Sequence, residues 1–294
     1  MNTKFTIKEF NTRFSTDEAC LEEIKDIKYP DGITCTKEGK ITKFYKVAGR
    51  PVYQCACGFQ VSPLAGTVFE KTTTPLTDWF YCMYLMVQTR AGVSAKQLQR
   101  EIGCTYKTAW RIARQIRMLM AETGSNSLTG IVEIDETYVG GKAKNRKNSW
   151  GNGIADKEVL MGMVERDGKA YIRHIPNSGK WTLLDQIQKN IDPKARIMTD
   201  EWRGYTQLKK RGYKHKSVNH RAGQYRVGDV YTQNIENVWS HLKRGIFGVY
   251  RHVSAKYLQA YADEFAWRYN QRNESGRMFD GLLKQVAEVK LVKA

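Results

Sequence analysis

No stretch of this sequence is long and apolar enough to span a bilayer. The longest apolar run, Trp79 to Val87, falls far short of the roughly 20 residues that a membrane-crossing helix needs. The opening Met1-Asn2-Thr3-Lys4 leads into mixed polar sequence and lacks the apolar core of a secretory signal. There is no internal repeat and no low-complexity tract. The six cysteines (Cys20, Cys35, Cys55, Cys57, Cys82, Cys104) show none of the spacing of a secreted disulfide framework, so a reducing cytoplasm is the expected setting. Complete Cys-x-x-Cys knuckles are missing too. Cys35-Thr36-Lys37-Glu38 holds one cysteine, and Cys55-Ala56-Cys57 is one residue short. With three thiols where a structural zinc site takes four ligands, this region is expected to fold by burial of small side chains, without zinc. Acidic residues are scarce as well: 30 Asp and Glu face 48 Lys and Arg, a net charge of +18 and a pI near 9.6.

What is present suffices for a core. Apolar residues make up 41% of 294, with seven Trp, sixteen Tyr and ten Phe, enough for one large domain or two to three smaller ones. A folded chain this basic is expected to meet a polyanion, nucleic acid first. The charge is concentrated. Between Arg203 and Lys256 twelve Lys or Arg face only Asp229 and Glu236, a net +10. Such a patch can neutralise several phosphates at once. Within it Lys209, Lys210 and Arg244 are candidate phosphate contacts, close to nucleoid DNA.

Apolar spacing from Ile7 to Ile27 predicts helix, with a start at Ser15-Thr16-Asp17-Glu18. Residues 33–62 read as short strands around the cysteines, and Pro75 to Met86 as an amphipathic helix. From Gly92 to Trp110 the pattern is helix, glycine turn, helix: Ser94 can cap the first and Gly103 sits at the turn. In a helix-turn-helix the second helix enters the major groove, which would make Thr105, Tyr106, Lys107 and Arg111 the reading face. An ordinary helical hairpin fits the same pattern. After a polar, small-residue boundary at 121–129, strands and helices alternate. Strands are expected at Gly130 to Asp135, Lys157 to Glu165, Lys169 to Ile175, Ala195 to Thr199 and Tyr213 to Ser217. Helices are expected at Trp181 to Ile191, Trp202 to Arg211, Ile235 to Arg244 and Ala255 to Tyr269. That order, a mixed α/β sheet with flanking helices, is the one used by ribonuclease H-like folds. The expected domains are 1–66, 67–125, 126–272 and a C-terminal tail or helix at 273–294.

Three acids stand at element ends. Asp135 and Asp200 each close an expected strand, and Glu236 lies 36 residues further on, in the first turn of a helix. Ligands of open α/β sheets collect at strand carboxyl ends, so two such Asp meet if their strands are neighbours. Carboxylates are hard donors suited to Mg²⁺ or Mn²⁺, and two ions can activate water and stabilise a departing oxygen. Taken singly, each acid has another use, as a turn or helix cap or as favourable charge at a helix start. Glu133, on the same strand face as Asp135, competes for its role. Lys243, two helical turns after Glu236, could hold a phosphate or simply be solvated.

Ile131 to Lys142, Thr199-Asp200-Glu201-Trp202-Arg203-Gly204-Tyr205 and Ile235 to Gly248 resemble the motifs of ISXO-like insertion-sequence transposases. Ala19-Cys20-Leu21, Tyr29-Pro30-Asp31-Gly32 and Ala65-Gly66-Thr67-Val68-Phe69 match as well, so the resemblance spans nearly the whole chain. It implies a ribonuclease H-like catalytic domain with Asp135, Asp200 and Glu236 holding two Mg²⁺ or Mn²⁺ and Lys243 completing the set. It further implies that double-stranded DNA, as terminal inverted repeats and target, is cut and joined by a homo-oligomer. The sequence departs from the family's complete zinc knuckles, and Thr232-Gln233 replaces a Thr-Asn pair ahead of the Glu. Two rivals follow from the same features: a helix-turn-helix regulator with an inert sheet domain, and a nuclease that cuts without joining.

Overall fold

The computed structural model describes residues 5–121, 127–140, 157–218 and 226–289. Parts of five expectations lie outside the described residues: the opening Met1 to Lys4, the boundary at 122–126, Gly141 and Lys142 of the first motif, Arg221 of the basic segment, and 290–294 of the C-terminal tail. The chain divides into two compact units, one drawn from 1–89, 93–120 and 274–294, the other from 90–92 and 121–273. No helix among the described residues is long and apolar enough to cross a membrane.

In the first unit, α1 (Ile7–Arg13) and α2 (Asp17–Lys28) each start on a threonine. Thr6 and Glu9 cap each other reciprocally, and the Thr16 hydroxyl accepts from the Ala19 N–H, so the exposed amides of both first turns are used. Five short strands follow: β1 (Thr34–Cys35), β2 (Lys40–Ile41), β3 (Phe44–Lys46), β4 (Tyr53–Cys55) and β5 (Gln60–Val61). β1 pairs with β2, and β3, β4 and β5 form a second antiparallel sheet. The core of the unit lies under α3 (Leu76–Gln88), whose Trp79, Phe80, Met83 and Met86 are fully buried. α4 (Ala95–Ile102) and α5 (Tyr106–Leu119) form the expected pair, capped by Ser94 and Thr105. Gly103 joins them at φ +66°, a left-handed conformation that a side chain would strain. The final helix of the chain, numbered α9 below, belongs to this unit. It is Met278–Glu288, and its Phe279 packs on Phe5, Phe10 and Phe14 while Arg13 pairs with Asp280 at 2.6 Å.

The second unit is built on a five-stranded sheet: β6 (Ile131–Val139), β7 (Glu158–Glu165), β8 (Ala170–Ile175), β9 (Arg196–Thr199) and β10 (Lys214–Ser217), in the order β10-β9-β6-β7-β8. The hairpins β6-β7 and β7-β8 are antiparallel, whereas β9 runs parallel to both β6 and β10. Alternation along the strands gives the sheet two apolar faces. Val132, Ile134, Met161 and Met163 pack with Leu183, Leu184 and Ile187 of α6 (Lys180–Asn190). Leu160, Val164 and Ile172 pack with α7 (Gln233–Arg244) and α8 (Ala255–Asn270). A small ribbon, β11 (Arg226–Val227) and β12 (Val230–Tyr231), precedes α7.

Two expected elements differ. β6 does not close at Asp135 but runs to Val139, because its partner β7 stays in register as far as Glu158. The helix expected over Trp202 to Arg211 is instead two 3₁₀ turns, Arg203–Tyr205 and Lys209–Arg211. Asp200 ties the Trp202 N–H into a tight turn, Gly204 weakens the helix that would follow, and Gly212 ends the segment in the left-handed conformation at φ +88°.

Candidate active site

Two strands and one helix bring the acids together. The parallel register pairs Ile131 with Arg196, Val132 with Ile197 and Glu133 with Met198, and two further places set Asp200 level with Asp135. Asp135 is therefore mid-strand in β6 yet just beyond the carboxyl end of β9, where the chain turns away at Asp200. Asp200 Oδ1 accepts from the Trp202 N–H at 3.0 Å. α7 lies over the sheet face on which Asp135 projects. Its Trp239 donates Nε1–H to Asp135 Oδ2 at 3.0 Å, and its first turn carries Glu236, whose Oε1 accepts from the Thr232 hydroxyl at 3.0 Å. Close approach of this helix depends on Gly162, the residue opposite Asp135 on β7. A Cβ there would come within 2.3 Å of Ile235 Cδ1 and 2.6 Å of Trp239 Cζ2.

The electrostatics follow from crowding. Burial first, then the charge of Asp200 and more weakly that of Glu236, push the Asp135 carboxyl up to about 6, although the Trp239 N–H opposes the shift. Its neighbour Glu136 is pushed up to about 8, again by burial first, with Asp135 and Asp200 adding to it against a hydrogen bond from the Tyr205 hydroxyl. Next to this cluster His215 is held down to about 4 by burial and by Lys209, and its Nε2 meets the Thr199 hydroxyl at 2.9 Å.

Glu133, the rival for Asp135's role, does something else. It is fully buried and takes Arg166 Nε at 2.8 Å, Asn234 Nδ2 at 2.9 Å and the backbone N–H groups of Asn234 at 2.8 Å and Ile235 at 3.3 Å. Thr232, at the cap position of α7, makes no side-chain cap bond, so a carboxylate two residues before Asp135 caps that helix from the sheet. Arg166 also donates to the carbonyls of Asp229 and Tyr231 and lies 3.5 Å over the Tyr231 ring, which ties the β11-β12 ribbon to the same point.

Lys243 is exposed near the end of α7, as is Arg244, which donates to Ser240. Lys209 and Lys210 are exposed on the second 3₁₀ turn. In the first unit Tyr106, Lys107 and Arg111 are exposed on one side of α5, whereas the Thr105 hydroxyl is occupied in capping Thr108 N–H at 3.2 Å. Among the described residues one group of metal-competent side chains has all its ligand atoms within 4.8 Å of one another, and it lies in the ribbon of the first unit: Cys35, Glu38, Cys55 and Cys57. Beside the three thiols counted in the sequence, Glu38 stands as a fourth potential donor and accepts from Cys55 Sγ at 3.4 Å.

Sequence reasoning missed Glu136, Trp239 and Gly162. Glu136 and Trp239 were in plain view, one beside Asp135 and the other three residues after Glu236. The need for glycine at position 162 shows only once β7 and α7 are in contact.

Residues 127–270 match the ISXO2-like transposase domain. A Halobacterium salinarum protein described as an uncharacterized protein in transposable element ISH50 is 27% identical over 288 residues, 90% of this chain and 94% of the relative. An uncharacterized transposase-like protein of Haemophilus influenzae is 27% identical over 124 residues, 42% of this chain and 98% of the relative.

Proposed function

We propose that this chain, through its ISXO2-like transposase domain at residues 127–270, cleaves the ends of an insertion sequence and joins them to target DNA, with Asp135, Asp200 and Glu236 as catalytic carboxylates. One observation carries the assignment: in a chain of net charge +18, the register of β6 and β9 and the seating of α7 gather three carboxylates, Asp135, Asp200 and Glu236, and the hydrogen-bond partner of Asp135 is the neutral Trp239. Mutually repelling hard oxygen donors fit a divalent cation such as Mg²⁺ or Mn²⁺, held by Asp135, Asp200 and Glu236. Two such ions, when bound, supply activation of the attacking oxygen and stabilisation of the departing one.

The protein's own contribution is position. Trp239 orients Asp135, the Trp202 turn orients Asp200, Thr232 holds Glu236, and Glu133 fixes the start of the helix that carries it. Lys243, on the same helix, is assigned to hold a phosphate oxygen near the acids. The strand order and the helices on both sheet faces support a ribonuclease H-like unit. The turn at Gly103 and the exposed basic face of α5 support a helix-turn-helix that binds duplex DNA, in copies assembled at paired element ends. The acid cluster argues against an inert sheet domain.

Asp135→Ala, Asp200→Ala and Glu236→Ala should each abolish Mg²⁺-dependent cleavage of end-containing duplex while leaving gel-shift binding intact. Wild-type rates in any one variant would remove that residue from the site. Cleavage without strand-transfer products would make the protein a nuclease.

A further inference from the structure

Trp202 is 46% exposed, and Trp181 is 57% exposed. Trp202 follows Asp200 by two residues, and its backbone N–H is the donor to Asp200 Oδ1. Its indole Nε1 donates to the Ser178 carbonyl at 3.3 Å, and the Ser178 hydroxyl meets the Tyr138 hydroxyl of β6 at 3.0 Å. One edge of the ring rests against Gly204, where a Cβ would lie 2.7 Å from Trp202 Cδ1 and Nε1. The ring is thus held at its edge and at its backbone, its only polar atom is occupied, and what it has left to offer is a π face. Trp181 stands in the first turn of α6, three residues after Ser178, with Lys180 Nζ 5.1 Å from its ring centroid.

Two exposed cations adjoin it: Arg203 follows Trp202 in sequence, and Lys180 lies two residues after Ser178, whose carbonyl the indole meets. A planar apolar face next to basic side chains matches a nucleotide, with the phosphate on the cations and the base on the ring. A base inside a duplex is already stacked on both sides. The partner that gains most is an unpaired base, of the kind produced when a duplex is opened for chemistry on its backbone.

We propose that Trp202 is a stacking platform for an unpaired nucleobase next to the strand held at Asp135, Asp200 and Glu236. The location of that strand rests on the DNA-cleavage reading above, but the stacking can be measured without cleavage.

Binding is compared for a blunt duplex and for the same duplex with a short unpaired adenine tail, with Ca²⁺ replacing Mg²⁺. Wild-type protein should prefer the tailed duplex. Trp202→Ala should weaken tailed binding by about 5- to 150-fold, the range of base–aromatic stacking, and leave blunt binding within about twofold. Trp202→Phe should keep most of the preference, and 2-aminopurine in the tail should be quenched by wild type and not by Trp202→Ala. Equal weakening of both duplexes, no change in either, or a Phe variant as poor as the Ala variant would overturn the proposal. So would a change in oligomeric state with the tail preference intact, which would make the surface a protein contact. Tail preference that depends on Trp202 in a protein that never cleaves DNA would sink the cleavage reading alone. Asp135-dependent cleavage without that preference would sink the platform alone.

Discussion

Asp135 and Glu136 are adjacent in sequence, and both carboxyls are raised, to about 6 and about 8. The folded chain therefore keeps protons that the unfolded chain has released, and this part of its stability is present at low pH and lost as pH rises through the folded values. His215 works the other way. Held near 4, it adds stability as pH rises from 4 to its ordinary value of 6.5, so it offsets Asp135 in that window. Above it Glu136 is the main remaining contributor of this cluster. In EDTA the melting temperature should fall between pH 6.5 and 8.5, and Glu136→Gln, which can still accept from Tyr205, should flatten the fall. Added Mg²⁺ should raise the melting temperature more at pH 8 than at pH 6, because ionised carboxylates are the metal-binding form. Thermal melts across pH check both statements, and an unaltered slope in the Gln variant would refute the assignment to Glu136.

At the scale of elements, the site depends on how tightly α7 lies on β6 and β7. Gly162→Ala should drive Ile235 and Trp239 off the sheet at a cost of about 1–3 kcal/mol, typical of overpacking. Cleavage should fall further than the loss of folded protein explains, since Trp239 leaves Asp135 and Glu236 moves with the helix. A melting curve beside a cleavage rate at low temperature measures the two effects separately. The ribbon gives a second test. With Cys35, Glu38, Cys55 and Cys57 already gathered, the purified chain should hold one zinc. Elemental analysis should show it absent in Cys57→Ser and reduced in Glu38→Ala; metal-free wild type would restore the sequence expectation. These two places mark the limit of what the sequence makes legible. Strand alternation and caps locate β7 to β10, α4 to α8 and the positions of Asp135, Asp200 and Glu236. Local pattern cannot show Glu38 meeting thiols across the ribbon, Glu133 capping α7 from 100 residues away, or α9 joining the N-terminal unit, because these are long-range contacts. The 3₁₀ turns after Asp200 escape it for another reason: the apolar spacing there suits a helix, and two glycines outweigh it.

Across the whole molecule, the charge is divided between two units whose contacts with DNA should differ in kind. α5 presents Tyr106, Lys107 and Arg111 from a rigid helix, a set able to bond base edges as well as phosphates. Thr105, proposed with them, is exposed at the start of the same helix, where its hydroxyl also accepts from the Thr108 N–H. The second unit carries Lys209 and Lys210 on a short turn with no helix to insert in a groove, so they suit phosphate contacts that carry no sequence information. Lys107→Ala or Arg111→Ala should cost about 1–3 kcal/mol on element ends and little on scrambled duplex. Lys209→Ala with Lys210→Ala should weaken both duplexes alike and flatten the log–log salt dependence by roughly one unit for each phosphate no longer neutralised. The measurement is a titration of both duplexes over a salt series. If the α5 variants weaken the two duplexes equally, that helix grips the backbone only, and recognition of the ends must come from another surface, with the residues before Gly66 the next to test.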